Sequence, residues 1–169
     1  MLQHPVPENH LKTIGDITVS FAMLESQIQN LIGSLVYEHQ RIGQIITAEL
    51  SFKNLRALLI SLYLERHGEN DDFIKLRDFM KRAGQTEDKR NQIIHSVWGA
   101  GKNKDYITRI KTTAKEKHGI RFKFEEVSAE NLKEFASDIK ILAEQILRFQ
   151  IDMIGKKKII NSPAQKFWP

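Results

Sequence analysis

The sequence predicts a mainly all-α fold, a four-helix up-and-down bundle that carries a small β-hairpin before its last helix. Two long segments, one near each end of the chain, place apolar residues at alternating intervals of three and four positions. This spacing is typical of the narrow apolar seam between helices that pack side by side. Two further helical segments lie between them, followed by a stretch whose apolar residues alternate with period two, as in strands. We expect the 169 residues to form a single domain.

The first helix is predicted over residues 8–37, after Pro5 and Pro7 keep the preceding chain extended. Its seam consists of Ile14, Ile17, Phe21, Leu24, Ile28, Leu31 and Leu35. Glu25 borders this seam, either as an exposed rim residue or as a carboxylate that faces an arginine across the bundle. The segment from His39 to Ala48 is compatible with a short helix or with a connector.

The second helix is predicted over residues 51–67, with Ser51 as its N-cap and Gly68 just beyond its end. The third helix is predicted over residues 71–98 and is capped by Asn70, Asp71 or Asp72. Its apolar face is formed by Phe73, Leu76, Met80 and Ala83 and resumes at Ile94, Val97 and Trp98. The Gly-Ala-Gly sequence at residues 99–101 is expected to end it.

Residues 102–127 are predicted to form the β-hairpin, because two short segments alternate apolar and polar residues. Ile120, Phe122 and Phe124 share one face, which we expect to lie on the helices, since a two-stranded ribbon is marginal alone. The Arg121 and Lys123 face is compatible with solvation or with phosphate contacts.

The last helix is predicted over residues 128–154, with Ser128 as its N-cap. Its seam repeats the alternation of the first helix and consists of Leu132, Phe135, Ile139, Leu142, Ile146, Phe149 and Met153. Residues 156–169 have no helical period and are predicted to form an extended tail, in which Phe167 and Trp168 dock in a groove of this subunit or of a partner.

Composition excludes several classes of function. The chain has no cysteine, so it has no disulfide, thiolate metal site or cysteine nucleophile. It has no apolar run long enough for a membrane span, and its first ten residues lack an apolar signal core, so we expect a cytoplasmic protein. Its six histidines do not show zinc-motif spacing, and no cofactor motif is present. The net charge of +5 and the pI of about 9.4 are compatible with a polyanionic partner or simply with a solvated basic surface.

The third helix contains the most informative feature, an interruption of its apolar stripe by polar residues. The stripe passes through Glu87 and then Arg90 or Asn91, and His95 lies one turn beyond Asn91 on nearly the same side. Burying such groups without partners costs on the order of several kcal/mol. We therefore expect Arg90 and Asn91 to face a cleft or the interior, with Glu87 or Glu25 within reach of the guanidinium.

The segment R-N-Q-I-I-H-S-V-W at residues 90–98 resembles the signature of the HEPN superfamily, small helical domains that act mainly on RNA. That signature is an arginine, often followed directly by a polar residue, and then a histidine after a short spacer. Arg90, Asn91 and His95 match its short form. The Phe-Ala-x-Leu-Glu sequence at residues 21–25 and the long final amphipathic helix agree with it. Some relatives carry a tyrosine two residues after the histidine, where this chain has Val97.

The resemblance implies a homodimer whose two Arg-His motifs line a shared cleft and cut RNA without a metal ion or another cofactor. Histidine titrates near neutrality, so His95 suits the base that takes a proton from the 2′-hydroxyl. The permanently charged Arg90 suits stabilisation of the phosphate, and Asn91 suits phosphate binding or orientation of the histidine. Trp98 flanks the motif as a supporting residue. The resemblance implies no particular antitoxin or other protein partner.

Two interpretations without catalysis remain open. Arg90 and His95 are compatible with a structural pair that sets helix register, with Glu87 or Glu25 as the counter-ion. The chain is also compatible with a non-catalytic dimeric helical module that binds RNA, a nucleotide or a protein.

Overall fold

Five helices and a three-stranded antiparallel sheet make up the part of the chain that the computed structural model describes, residues 4–36, 40–115 and 119–160. For residues 40, 113–115 and 156–160 it describes the backbone alone. The helices are α1 Glu8–Leu35, α2 Gln40–Thr47, α3 Phe52–His67, α4 Asp71–Ile94 and α5 Ala129–Ile160. The strands are β1 Val97–Ala100, β2 Tyr106–Lys115 and β3 Gly119–Ser128. The prediction of a mainly helical chain is confirmed.

The backbone divides into two compact units, and the divisions fall inside α1, α4 and α5. The first unit comprises Met1–Ala22 and Gln85–Lys140, and it contains the sheet. Its largest buried side chains are Ile17, Phe21, Ile93, Ile107, Leu132, Phe135 and Ile139. The second unit comprises Met23–Gly84 and Ile141–Pro169. Its core includes Leu24, Ile28, Leu31, Leu55, Leu59, Leu76, Leu142 and Ile146. The predicted helical seams therefore supply the core of each unit.

The helix caps follow the sequence signals. Ser51 Oγ accepts a hydrogen bond from the Asn54 backbone N–H at 3.3 Å, and Gly68 ends α3 with φ of 67°. Of the three residues proposed to cap α4, Asn70 does so, because its Oδ1 accepts from the Phe73 N–H at 2.8 Å. The segment that the sequence left undecided between a short helix and a connector forms α2. Its Gly43 lies against α1. A Cβ on Gly43 would lie only 2.7 Å from Gly33 Cα.

The third predicted helix is shorter than expected, and the sheet is larger. Helix α4 ends at Ile94 rather than at Trp98, and residues 97–100 form β1. Strand β1 pairs antiparallel with β2, from Val97 with Ile110 to Ala100 with Ile107. The predicted two-stranded hairpin over residues 102–127 is therefore wrong in its strand count. The apolar residues of β1 continued the helical spacing by coincidence, while its backbone groups take their partners from β2.

Residues paired across neighbouring strands point to the same side of the sheet, so the register shows which residues share a side. The two sides of this sheet differ in burial. On one side Ile107 is fully buried, opposite Val127 in β3. The other side carries Val97, Ile110, Thr112, Ile120, Phe122 and Phe124, which we call the apolar sheet face. Its Phe122 is 61% exposed and its Phe124 is 65% exposed. The expectation that Ile120, Phe122 and Phe124 lie on the helices is therefore wrong. The side that packs is the opposite one, through Ile107.

Helix α5 starts at Ala129, where Ser128 Oγ accepts from the Asn131 N–H at 3.1 Å as the sequence predicts. The helix continues to Ile160, so the predicted extended tail over residues 156–169 is wrong in its first part. Phe167 and Trp168, which were expected to dock in a groove, lie outside the described residues. Within the described ranges, none of the helices has the length and apolar character needed to cross a membrane.

Candidate functional site

An open cleft of about 480 Å³ lies in the first unit, where α4 ends and meets the sheet; we call it the α4–β2 cleft. Two of the three residues of the Arg-to-His motif that the sequence singles out line it, together with positions from β1 and β2. The lining residues are Asn91, Gln92, His95, Ser96, Val97, Arg109, Ile110, Lys111 and Thr112. Imidazole, amide and ammonium groups therefore meet in one solvent-accessible groove.

His95 stands just beyond the last residue of α4, in the two-residue connection to β1. Its backbone N–H donates to the Asn91 carbonyl at 3.0 Å, and its side chain is exposed in the cleft. The next residue, Ser96, hydrogen-bonds through its hydroxyl to the Gln92 carbonyl. The connection is thus held by the last turn of the helix, and the imidazole is presented to solvent.

Arg90 is half-buried and does not line the α4–β2 cleft itself. Its Nη1 donates to Asn91 Oδ1 at 2.9 Å, and its Cζ lies 5.2 Å from the centre of the Phe21 ring. Among the described residues, its buried Nε–H has no hydrogen-bond partner. The expectation that Arg90 faces inward rather than into bulk solvent agrees with this burial. Its guanidinium contacts an amide and an aromatic ring, and the expected carboxylate partner stays a prediction.

The hydrogen bond from Arg90 fixes the orientation of the Asn91 amide. Arginine carries only donors, so the atom that it contacts on Asn91 is the oxygen. The Nδ2 end of the same amide is then the end left to donate to a ligand. Because Asn91 lines the cleft beside His95, this places a hydrogen-bond donor next to the imidazole.

Arg109 and Lys111 in β2 complete the cleft, and the sequence analysis did not single them out. Arg109 donates through Nη1 to Gln92 Oε1 at 2.9 Å and pairs through Nη2 with the Glu125 carboxylate. Its side chain is only 12% exposed, so it ties the sheet to α4. Lys111 is exposed and lies opposite Lys123 of β3. The sequence feature that could have indicated both residues is their spacing of two in the predicted strand that follows the motif.

The three supporting residues take different positions. Trp98 lies in β1 rather than in the helix, and its Nε1–H donates to the Ile93 carbonyl at 3.1 Å. This bond connects the first residues of the sheet to the end of α4. Glu87 is half-buried in α4, and Glu25 is half-buried in α1.

Glu126 forms a second polar cluster, at the end of the apolar sheet face near the connection between β1 and β2. Its pKa lies below its usual 4.5, because the Thr108 hydroxyl and the Lys102 backbone N–H both donate to its carboxylate. Among the residues described, no group of three or more His, Cys, Asp or Glu side chains is arranged to hold a metal ion.

Comparison of the chain with protein-family models, with curated proteins and with solved structures finds no match. The function is therefore inferred from the chemistry of the α4–β2 cleft and from the sequence motif.

Proposed function

We propose that the chain is a cytoplasmic, HEPN-like endoribonuclease whose helices are arranged as a four-helix up-and-down bundle. It forms a homodimer and cuts RNA without a metal ion. His95 acts as the general base, and Arg90 stabilises the charge that develops on the phosphate. Asn91 binds a phosphate oxygen. The observation that carries the proposal is the exposed His95 imidazole in an open cleft, beside an amide that Arg90 orients.

In this mechanism His95 removes the proton of a ribose 2′-hydroxyl, and the oxygen attacks the adjacent phosphorus. The bond between phosphorus and the 5′-oxygen breaks, and the leaving oxygen takes up a proton from water. The products are a 2′,3′-cyclic phosphate and a 5′-hydroxyl. The attacking oxygen belongs to the substrate, so the reaction needs a base and a cation rather than a metal-bound water. Arg90 does not line the cleft, so it acts on the developing charge through Asn91, whose Oδ1 accepts from its Nη1.

The pairing of Lys111 with Lys123 supports binding of RNA. The two exposed ammonium groups lie opposite each other on adjacent strands, where like charges are destabilising. A phosphate backbone that lies across them would relieve this repulsion. Lys111 also lines the α4–β2 cleft, so this contact would guide the RNA towards His95.

The test incubates mixed RNA with the wild type, His95→Ala and His4→Ala, with and without EDTA. His4 is an exposed histidine that does not line the cleft, so it serves as the matched control. We expect cleavage that survives EDTA, yields cyclic phosphate ends and falls as salt rises. A positioned base contributes roughly 10²- to 10⁴-fold, so His95→Ala should lose that much activity while His4→Ala keeps it. Intact RNA with the wild type would disprove catalysis, and equal cutting by His95→Ala would disprove the role of His95 as the base.

The second candidate is a non-catalytic dimeric module that binds RNA, and the Lys111–Lys123 pair favours it as well. In that case the wild type retards RNA in a gel without cutting it. Lys111→Ala and Lys123→Ala should each weaken binding and reduce its salt dependence, whereas His95→Ala should bind as the wild type does.

A further inference from the structure

The apolar sheet face of the first unit exposes large apolar side chains that the proposed function leaves unexplained. Ile120 and Val97 are each 66% exposed, Phe122 is 61% exposed and Phe124 is 65% exposed. Thr112 lies opposite Phe122, and Ile110 lies between Phe124 and Val97. The charged residue on this side is Glu126, which lies at one end and is bound by Thr108 and Lys102. The centre of the face therefore consists of aromatic, aliphatic and threonine side chains.

The area of this face is sufficient for a weak interface. A phenylalanine presents roughly 150–250 Å², so the exposed fractions of Phe122 and Phe124 amount to roughly 190–315 Å². Ile120 and Val97 raise the contiguous apolar area to roughly 400 Å² or more. Two such faces in contact would bury about 800–1,000 Å², close to the lower limit of biological interfaces.

The distribution of charge favours a second copy of this chain as the occupant. The opposite side of the sheet carries the exposed cations Lys111, Arg121 and Lys123. Packing two apolar faces together puts these cations on the two outer sides, as far apart as the pair of sheets allows. Pairing through the free edge of β3 would instead leave the apolar face uncovered. A face without central charge also matches the depletion of charge and the enrichment of aromatics at interface cores.

We propose that the apolar sheet face is the interface of a two-fold symmetric homodimer, in which two sheets pack face to face about 10 Å apart. Val97, Ile110 and Thr112 belong both to this face and to the wall of the α4–β2 cleft. Both clefts then open at the rim of the interface. Any effect of this interface on RNA cleavage rests on the proposed function. The interface itself does not depend on it.

The first test measures mass by light scattering at high micromolar concentration. We expect the wild type at twice 19.6 kDa. Phe122→Ser with Phe124→Ser should weaken association at least tenfold, since truncating central aromatics typically costs that much. The matched control, Arg121→Ser with Lys123→Ser, changes the opposite side of the same strand and should stay dimeric. Circular dichroism checks that each variant is folded. A monomeric wild type, or a dimer that survives the phenylalanine changes, would overturn the interface.

The second test uses the absence of cysteine from the chain. Single cysteines at Thr112→Cys and Lys123→Cys report the two sides of the sheet to a bis-maleimide with a spacer of about 10 Å, the distance between packed sheets. We expect Thr112→Cys to form crosslinked dimers and Lys123→Cys to remain uncrosslinked. The reverse result would reject face-to-face packing. Because neither measurement involves RNA, loss of the interface and loss of the proposed cleavage are told apart.

Discussion

Replacing Arg90 by methionine separates the structural role of this arginine from its role in cleavage. Methionine keeps an unbranched apolar stem against Phe21 but removes the positive charge and all hydrogen-bond donors. If Arg90 serves the α4–β2 cleft, the variant should fold normally and lose activity. If Arg90 neutralises a carboxylate of the bundle, the variant should unfold.

The structure allows the change in stability to be worked out. The variant loses a hydrogen bond from a charged donor to Asn91, worth about 1.5–3 kcal/mol, and a cation–π contact with Phe21, worth about 0.5–1 kcal/mol. It also removes the buried Nε–H that lacks a partner among the described residues, which relieves about 1–3 kcal/mol. A thioether against the Phe21 ring returns about 0.3–1.5 kcal/mol. We expect these terms to cancel to within about 1 kcal/mol.

The assay combines thermal unfolding with the RNA cleavage measurement. For a chain of this length, 1 kcal/mol shifts Tm by roughly 2–4 °C, so the Tm of Arg90→Met should stay within that range of the wild type. Its cleavage rate should fall by roughly 10²- to 10³-fold, the usual effect of removing a group that stabilises an oxyanion. The control is Arg82→Met, which changes an arginine of the same helix that also lies over a phenylalanine ring. We expect it to leave both measurements nearly unchanged.

Two outcomes would refute this reasoning. A loss of stability of about 3–5 kcal/mol is the effect of stranding a buried charge, and it would mean that Arg90 holds the carboxylate partner predicted from the sequence. Unchanged cleavage with unchanged stability would mean that the arginine has no part in the chemistry.

Two further predictions concern stability. Gly84→Ala places a Cβ 2.6 Å from Arg56 Nη1, which donates to the Met80 carbonyl, so the helix propensity gained from alanine should be offset. In an Arg56→Ala background the same change should stabilise the chain by about 1 kcal/mol in urea unfolding; an equal effect in both backgrounds would contradict the contact. The lowered pKa of Glu126 stabilises the folded state above pH 4.5, and this contribution is lost as the pH falls through the lowered pKa. The protection of the Lys102 amide, which donates to Glu126, should therefore fall in acid relative to its intrinsic exchange rate at each pH, whereas Glu126→Gln should show no such step.

The sequence allowed the helices and their caps to be predicted because those signals are local. Ile17, Leu24 and Ile28 follow the helical period and are fully buried, and Ser51 and Ser128 accept the expected capping bonds. The end of α4 could not be predicted in the same way. Val97 and Trp98 continue the helical spacing, and what ends the helix is the pairing of Trp98 with Arg109, which is distant in sequence.

The candidate site was predicted only in part, because some of its residues are close in sequence and others come together through strand pairing. Asn91 and His95 share the cleft because they lie one turn apart near the end of one helix, and this is readable from their spacing. Arg109 and Lys111 reach the cleft only through the register of β2 against β1, which the sequence did not reveal. Likewise, alternation placed Ile120, Phe122 and Phe124 on one face, but it carries no information on what covers that face.

The α4–β2 cleft is lined by residues from a single stretch of the chain, Asn91 to Thr112, and this affects the entropy of forming it. The Gln92–Arg109 hydrogen bond closes a loop of 17 residues, whereas the Asp16–Lys140 ion pair of the same unit closes one of 124. By the logarithmic dependence on length, the shorter loop costs about 2 kcal/mol less to close. When this unit opens by partial unfolding, the separation of its distant segments is therefore favoured first. Separation of α1 would also take the Phe21 ring away from Arg90, the residue that orients Asn91 in the cleft.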